Sequence, residues 1–236
     1  MKKIKLGSAL LSFVLLAASV APARASSDVE NPLFAYTHLL PSPFTLPAGR
    51  LLLGTHVAFG LTDFLQVSSD VLRDIFKVYN AEAKISLLDY QEFALALTLG
   101  LEHYNYHDID DRNPDLGVTT WQPGAVTSFA ILPTLAWFWG ANLNISNSTL
   151  KTSGIQTSGY VTGAVLESDL SWAYNPKKKG VGNVLSGGVS YDMTYSILGV
   201  GVSHHWRGLH VGIHYYPNAD QYRVQPIITG GAAVDL

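Results

Sequence analysis

Residues 93–102 alternate strictly between apolar and small or polar side chains. One set is Phe93, Leu95, Leu97, Leu99 and Leu101, and the other is Ala94, Ala96, Thr98, Gly100 and Glu102. A period of two places the sets on opposite faces of a β-strand. The first face is as apolar as lipid and the second is small or polar, which reverses the arrangement of a soluble sheet. The pattern therefore predicts a transmembrane β-strand whose leucines face lipid.

Similar segments recur along the chain, most of them close to the 9 to 11 residues with which a tilted strand crosses a bilayer. The segments are 50–60, 64–72, 79–88, 92–102, 124–138, 142–150, 158–173, 183–191, 195–206, 209–216 and 222–236. Bacterial single-chain barrels have even strand numbers, so we assign Leu33–Leu40 as a short first strand. The fold class predicted is an all-β, antiparallel up-and-down transmembrane barrel of about 12 strands. Ten is the alternative if residues 33–40 form a periplasmic tail or plug.

The N-terminus has the three parts of a secretion signal. A basic start, an apolar run and a small-x-small cleavage pattern follow one another at Lys2–Lys5, Ala9–Val20 and Ala23–Ala25. The run is shorter than the roughly 20 residues of a membrane-spanning helix. We therefore predict a signal peptide at 1–25, an N-terminal segment with the possible first strand at 26–47, and a β-barrel at 48–236.

The other end of the chain carries a second targeting pattern. Thr229–Leu236 fits polar-x-Gly-x-x-apolar-x-apolar, with Leu236 where Phe is usual. This resembles the C-terminal β-signal of bacterial outer-membrane β-barrel proteins, and the chain is similar to that porin-like class. The resemblance implies export to the outer membrane of a Gram-negative envelope and insertion by the barrel-insertion machinery through Thr229–Leu236. It also implies outer-membrane lipid and lipopolysaccharide as partners.

Composition excludes several classes of function. The chain has no cysteine, which excludes a lipid-modified cysteine, disulfides and thiolate metal sites. Acidic residues number 18 against 15 basic ones, and four of the basic residues lie in the signal. Such a chain is a poor match for nucleic acid. We predict no cofactor.

Loop lengths and aromatic residues predict the direction of the strands. Connections are expected to be short at Leu61–Asp63, Leu88–Gln91, Gly140–Ala141 and Arg207–Gly208, and the longest loop is expected at His103–Pro123. Short turns are periplasmic and long loops are external in such barrels. In this orientation Trp137, Trp139, Trp172 and Trp206 lie near the periplasmic ends, and most tyrosines lie near the outer ends, as expected for two membrane interfaces.

Small and ionisable residues are predicted to face the lumen. Glycines and alanines on the inward faces either leave space for a pore or relieve crowding at a curved wall. The candidate lumen-lining ionisable residues are Glu82, Lys84, Glu102, Glu167, Asp169 and Arg223. They form either a charge ladder that selects solutes or a neutralising network that stiffens the barrel.

Two groups are weak candidates for binding a metal ion. If Arg207–Gly208 is a turn, His205 and His210 are opposed on the inward face with His214 further along it. The outer loop carries Asp108, Asp110 and Asp111, oxygen ligands of the kind that calcium prefers. Ordinary lumen polarity and a solvated acidic loop are the alternatives.

The leading functional hypothesis is a narrow pore or transporter for small polar solutes. The alternative is a closed structural or binding barrel whose outer loops contact envelope components or other cells. A lipid-modifying enzyme comes third, because Ser203 and His204 are adjacent in a strand and point to opposite faces. We therefore expect no catalytic residues.

Overall fold

The computed structural model describes residues 37–75, 77–90, 92–106, 115–152, 155–175, 183–206, 209–219 and 223–235. Twelve strands and one short helix follow one another in these ranges. They are β1 (Arg50–Gly54), β2 (His56–Thr62), β3 (Leu65–Asp70), α1 (Val71–Ile75), β4 (Val78–Asp89), β5 (Phe93–Tyr106), β6 (Asp115–Leu132), β7 (Leu135–Thr152), β8 (Ile155–Asn175), β9 (Asn183–Asp192), β10 (Ile197–Trp206), β11 (Leu209–Tyr215) and β12 (Val224–Asp235).

The strands form one antiparallel sheet in which each strand pairs with its neighbours in the chain. The sheet closes where β1 pairs with β12, from Arg50 opposite Asp235 to Gly54 opposite Gly231. The prediction of an antiparallel up-and-down barrel of twelve strands is confirmed. Within the described ranges, no helix is both long enough and apolar enough to span a membrane.

We name the two ends of the barrel for the description that follows. The proximal end carries the start of β1, the end of β12 and the tight turn between β6 and β7. The distal end carries α1 and the turn between β7 and β8. In the predicted orientation, the proximal end is periplasmic and the distal end is external.

The alternation in β5 has the predicted consequence. Ala94 and Ala96 are fully buried inside the barrel, whereas Leu95 and Leu97 between them are part-exposed. The outer surface of the barrel is apolar over most of its strands. Its exposed side chains include Leu143, Leu166, Leu170, Val189, Leu198, Val200, Val202, Val211 and Ile213.

The predicted first strand at Leu33–Leu40 is wrong. Residues 37–40 form no strand and lie inside the barrel, while residues 33–36 lie outside the described part of the chain. The count of twelve is reached because predicted segment 50–60 is two strands, β1 and β2, which reverse direction around Thr55. Prolines at 41, 43 and 47 withhold three N–H groups from any ladder, which explains why this stretch does not pair as a strand.

The predicted boundaries between residues 103 and 150 are also wrong. Segment 124–138 contains the turn at Pro133–Thr134, where Leu132 pairs with Leu135, and Gly140–Ala141 lies inside β7. Much of the predicted loop His103–Pro123 belongs to β5 and β6. Polar residues on both faces hide these distal strand ends from a search for alternation, because ladder hydrogen bonds need no apolar face.

The remaining short connections can be compared with the structure only in part. The β2–β3 and β4–β5 connections are short, as predicted. Arg207 and Gly208 lie outside the described residues, but Trp206 and Leu209 on either side of them are paired.

Candidate functional site

Residues 37–49, which we call the plug, cross the lumen near the proximal end without regular secondary structure. At one wall, the Thr37 carbonyl lies 2.7 Å from Nε2 of His205 on β10. At the opposite end of the plug, the Leu46 N–H donates to Oε1 of Gln66 on β3 at 2.9 Å. The plug therefore runs from wall to wall and then continues into β1.

A single carboxylate oxygen holds the start of the plug. Oδ2 of Asp169 accepts hydrogen bonds from the backbone N–H groups of His38, Leu39 and Leu40 at 2.9, 2.9 and 3.0 Å. The Asp169 side chain is buried, with 1% of its surface exposed. Hydrogen bonds to an ionised acceptor are stronger than neutral ones, so Asp169 satisfies three plug donors that pair with no strand.

Two imidazoles continue this attachment. Nδ1 of His38 lies 2.9 Å from Oγ of Ser203, and its Nε2 lies 3.0 Å from Nδ1 of His214. Nε2 of His214 lies 2.9 Å from Oγ of Ser190. Burial lowers the pKa of His38 to about 4, so its ring is neutral at physiological pH and each nitrogen can donate or accept. The result is one buried chain of polar groups joining the plug to β9, β10 and β11.

The glycines of this wall make room for the imidazoles. A Cβ on Gly201 would collide with His38, with the Ile213 carbonyl and with His214, and a Cβ on Gly199 would collide with His214 and Ser190. Both glycines face inward, as predicted. The space they leave is occupied by the plug and by His214, so in this region it does not form a channel.

Apolar side chains complete the seat of the plug. Leu40 and Phe44, 3% and 7% exposed, belong to the buried core of the barrel together with Ala94, Ala96, Val126, Ala136, Phe138, Ala173 and Val184. A Cβ on Gly140 would meet the Leu40 side chain. The proximal half of the lumen is therefore a packed core.

Lys84 and His205 also contact the plug. Nζ of Lys84, a buried residue on β4, donates to the Ser42 carbonyl at 2.9 Å. His205 and His210 are cross-strand partners, as predicted, and their rings stack with centroids 3.9 Å apart. Nε2 of His205 already contacts the Thr37 carbonyl, and His214 contacts His38 and Ser190 instead of this pair. Among the described residues, no group of three or more His, Asp or Glu could hold a metal ion.

Above the plug the lumen opens into a cavity of about 430 Å³, which we call the distal cavity. Leu39 and Pro41 of the plug line it, as do the predicted residues Glu82, Glu102 and Glu167. Asp70 and Arg73 lie at its α1 side, and most of its remaining lining side chains are polar. The cavity is therefore an acidic, polar chamber that includes part of the plug in its wall.

The charges of this cavity are only partly paired. Arg73 forms an ion pair with Glu102, and its Nε lies 4.0 Å from Oδ2 of Asp70. Within the described ranges, no hydrogen bond or ion pair involves the carboxylates of Glu82 and Glu167. Lys84 is near enough to Glu82 to interact with it electrostatically, but its ammonium group is hydrogen-bonded to the plug.

The other predicted residues lie away from this cavity. Arg223 is exposed beyond the start of β12, and its Nε donates to the Ala219 carbonyl at 2.7 Å. Asp108, Asp110 and Asp111 lie outside the described residues. Ser203 is buried against the plug, whereas Nε2 of His204 lies 2.8 Å from the Tyr174 hydroxyl.

Sequence reasoning missed His38, the residue that joins the plug to two strands. The usable signal was the proline-rich stretch 41–47, which argues against a strand and leaves His38 to face whatever the preceding segment contacts. Its partners Ser190 and Ser203 have no distinguishing sequence context. Comparisons with protein-family models, with curated proteins and with solved structures give no match.

Proposed function

We propose that this protein is an outer-membrane β-barrel that is closed in the present state, and that its function is to bind a small polar ligand in the distal cavity. The observation that carries the proposal is the plug. It fills the proximal lumen with apolar contacts from Leu40 and Phe44 and is fixed by the three hydrogen bonds to Asp169. What remains above it is a chamber with a polar lining.

The outer surface supports a membrane location. Large apolar side chains are exposed on strand after strand, an arrangement that suits lipid and is costly in water. Trp137, Trp139, Trp172 and Trp206 are exposed near the proximal end. Exposed tyrosines at 79, 160, 191 and 195 lie towards the distal end. This separation is consistent with the two aromatic belts of a membrane barrel.

A gated pore for small polar solutes is the second candidate, favoured by the polar character of the plug's attachment to β8, β10 and β11. Water can replace those hydrogen bonds if the plug is released. The two candidates share the membrane location and differ in whether the lumen opens without a change in sequence.

Planar-bilayer recording separates them. The folded wild-type protein should give no discrete conductance steps at moderate voltage, because the plug closes the lumen. A variant with a weakened plug, Leu40→Ala combined with Asp169→Ala, should conduct. Steps from the wild type would contradict the closed barrel and favour the pore, and failure to fractionate with outer membranes after salt and urea washes would contradict the membrane location.

A further inference from the structure

We propose that the ligand of the distal cavity is a small organic cation that carries an ammonium or guanidinium group. This inference rests on the proposed function of the cavity as a binding site and adds the chemical class of the ligand. It is carried by the charges of the lining, by an unpartnered buried hydroxyl and by the size of the cavity.

The lining contains more negative than positive charge. Four carboxylates border the cavity, those of Asp70, Glu82, Glu102 and Glu167, against the guanidinium of Arg73. Arg73 is already committed to Glu102 and lies near Asp70. A carboxylate that is partly removed from water and lacks a counter-charge is unfavourable, so a cation that reaches Glu82 and Glu167 relieves this cost.

A second observation lies on the same wall. Ser68 on β3 is the cross-strand partner of Glu82 on β4, and both line the cavity. Ser68 is 8% exposed, yet its hydroxyl has no hydrogen-bond partner. Buried hydroxyls in native proteins are nearly always paired. An N–H donor of a bound ligand, placed at Glu82, would be within reach of this hydroxyl as well.

The size of the chamber favours an organic cation over a bare metal ion. A cavity of about 430 Å³ is in the range of small-molecule sites. The part of the chain described contains no cluster of three ligands that would coordinate a metal directly. Side-chain amides of Gln122, Asn142 and Asn144 also line the cavity, and they can hydrogen-bond the polar remainder of a ligand.

Isothermal titration of the full chain in detergent micelles tests the proposal, with putrescine and agmatine as cationic probes and succinate and glycerol as controls. The two cations should bind, the controls should not, and affinity should fall with added salt because the interaction is between charges. Glu82→Gln and Glu167→Gln should each weaken binding at least tenfold. Glu92→Gln is the matched control, because Glu92 is exposed in the proximal β4–β5 turn, and its affinity should equal that of the wild type.

Heat-modifiability on gels establishes that each variant is folded before it is titrated. Absence of cation binding by the folded wild type, or binding that both Glu→Gln variants retain in full, would overturn the proposal. Such a result combined with silent bilayers would leave the closed barrel intact. Conductance by the wild type is a separate result that counts against the proposed function.

Discussion

The proximal and distal halves of the lumen are enclosed by the same strands and filled in opposite ways. In the proximal half, small inward residues such as Ala94 and Ala96 pack against Leu40 and Phe44 of the plug. In the distal half, the inward residues are polar or acidic and surround a cavity of about 430 Å³. A barrel wall thus does not by itself determine whether its interior is a core or a chamber, because here a segment outside the sheet decides it.

The plug itself makes the comparison sharp, since its neighbouring residues face the two halves. Leu40 is buried in the apolar core, and Leu39 lines the distal cavity. Burial of a leucine in a packed core is stabilising mainly because apolar surface is removed from water and cavities are avoided. The two positions should therefore respond differently to the same substitution.

Leu40→Ala should give the largest effect. Truncating a buried leucine costs about 2–5 kcal/mol, and here the loss falls on the seat of the plug. Urea unfolding of the protein in lipid vesicles, followed by tryptophan fluorescence, measures the change. Leu39→Ala is the matched control and should cost less than about 1 kcal/mol, because its side chain borders an open chamber. Equal losses at the two positions would mean that the halves do not differ as the packing indicates.

A smaller effect is expected where the wall makes room for the plug. Gly201→Ala places a methyl group against His38, His214 and the Ile213 carbonyl, and overpacking of this kind costs about 1–3 kcal/mol. Gly187→Ala on the neighbouring strand is the control, because the nearest atom to its added Cβ, the Gly201 carbonyl oxygen, lies at an ordinary 3.5 Å. The same urea titration should separate the two variants, and bilayer conductance that appears only with Gly201→Ala would tie the difference to the plug.

The sequence predicts the wall of this barrel much better than its contents. Alternation at residues 93–102 identifies both faces of β5 because each strand residue has only two directions in which to point. The contacts of the plug follow no such local rule. His38 meets Ser203 across 165 positions of sequence, and its partners are a serine and a histidine that resemble many others.

The lumen glycines show the same limit. Their inward direction follows from the pattern, but what fills the space beside them depends on a segment that the prediction assigns to a strand. Glu82, Glu102 and Glu167 were predicted as lumen residues from their phase and do line the cavity. Arg223, chosen by the same reasoning, lies just before β12, where the alternation of the strand no longer applies.

The smallest effect should come from Glu167→Gln, and it tests the distal half directly. Glu167 and Asp169 lie on one strand, two residues apart and on the same face, but Asp169 accepts three hydrogen bonds from the plug and Glu167 lines the cavity. Since no hydrogen bond or ion pair of Glu167 occurs within the described ranges, neutralising it should change the free energy of unfolding by less than about 0.5 kcal/mol. Asp169→Asn, which keeps an oxygen acceptor but loses the charge, should cost about 1–3 kcal/mol. Urea titration of the pair gives both values. A large loss at Glu167 would mean that its carboxylate supports the fold, and the distal carboxylates would then belong with the proximal packing instead of with a binding chamber.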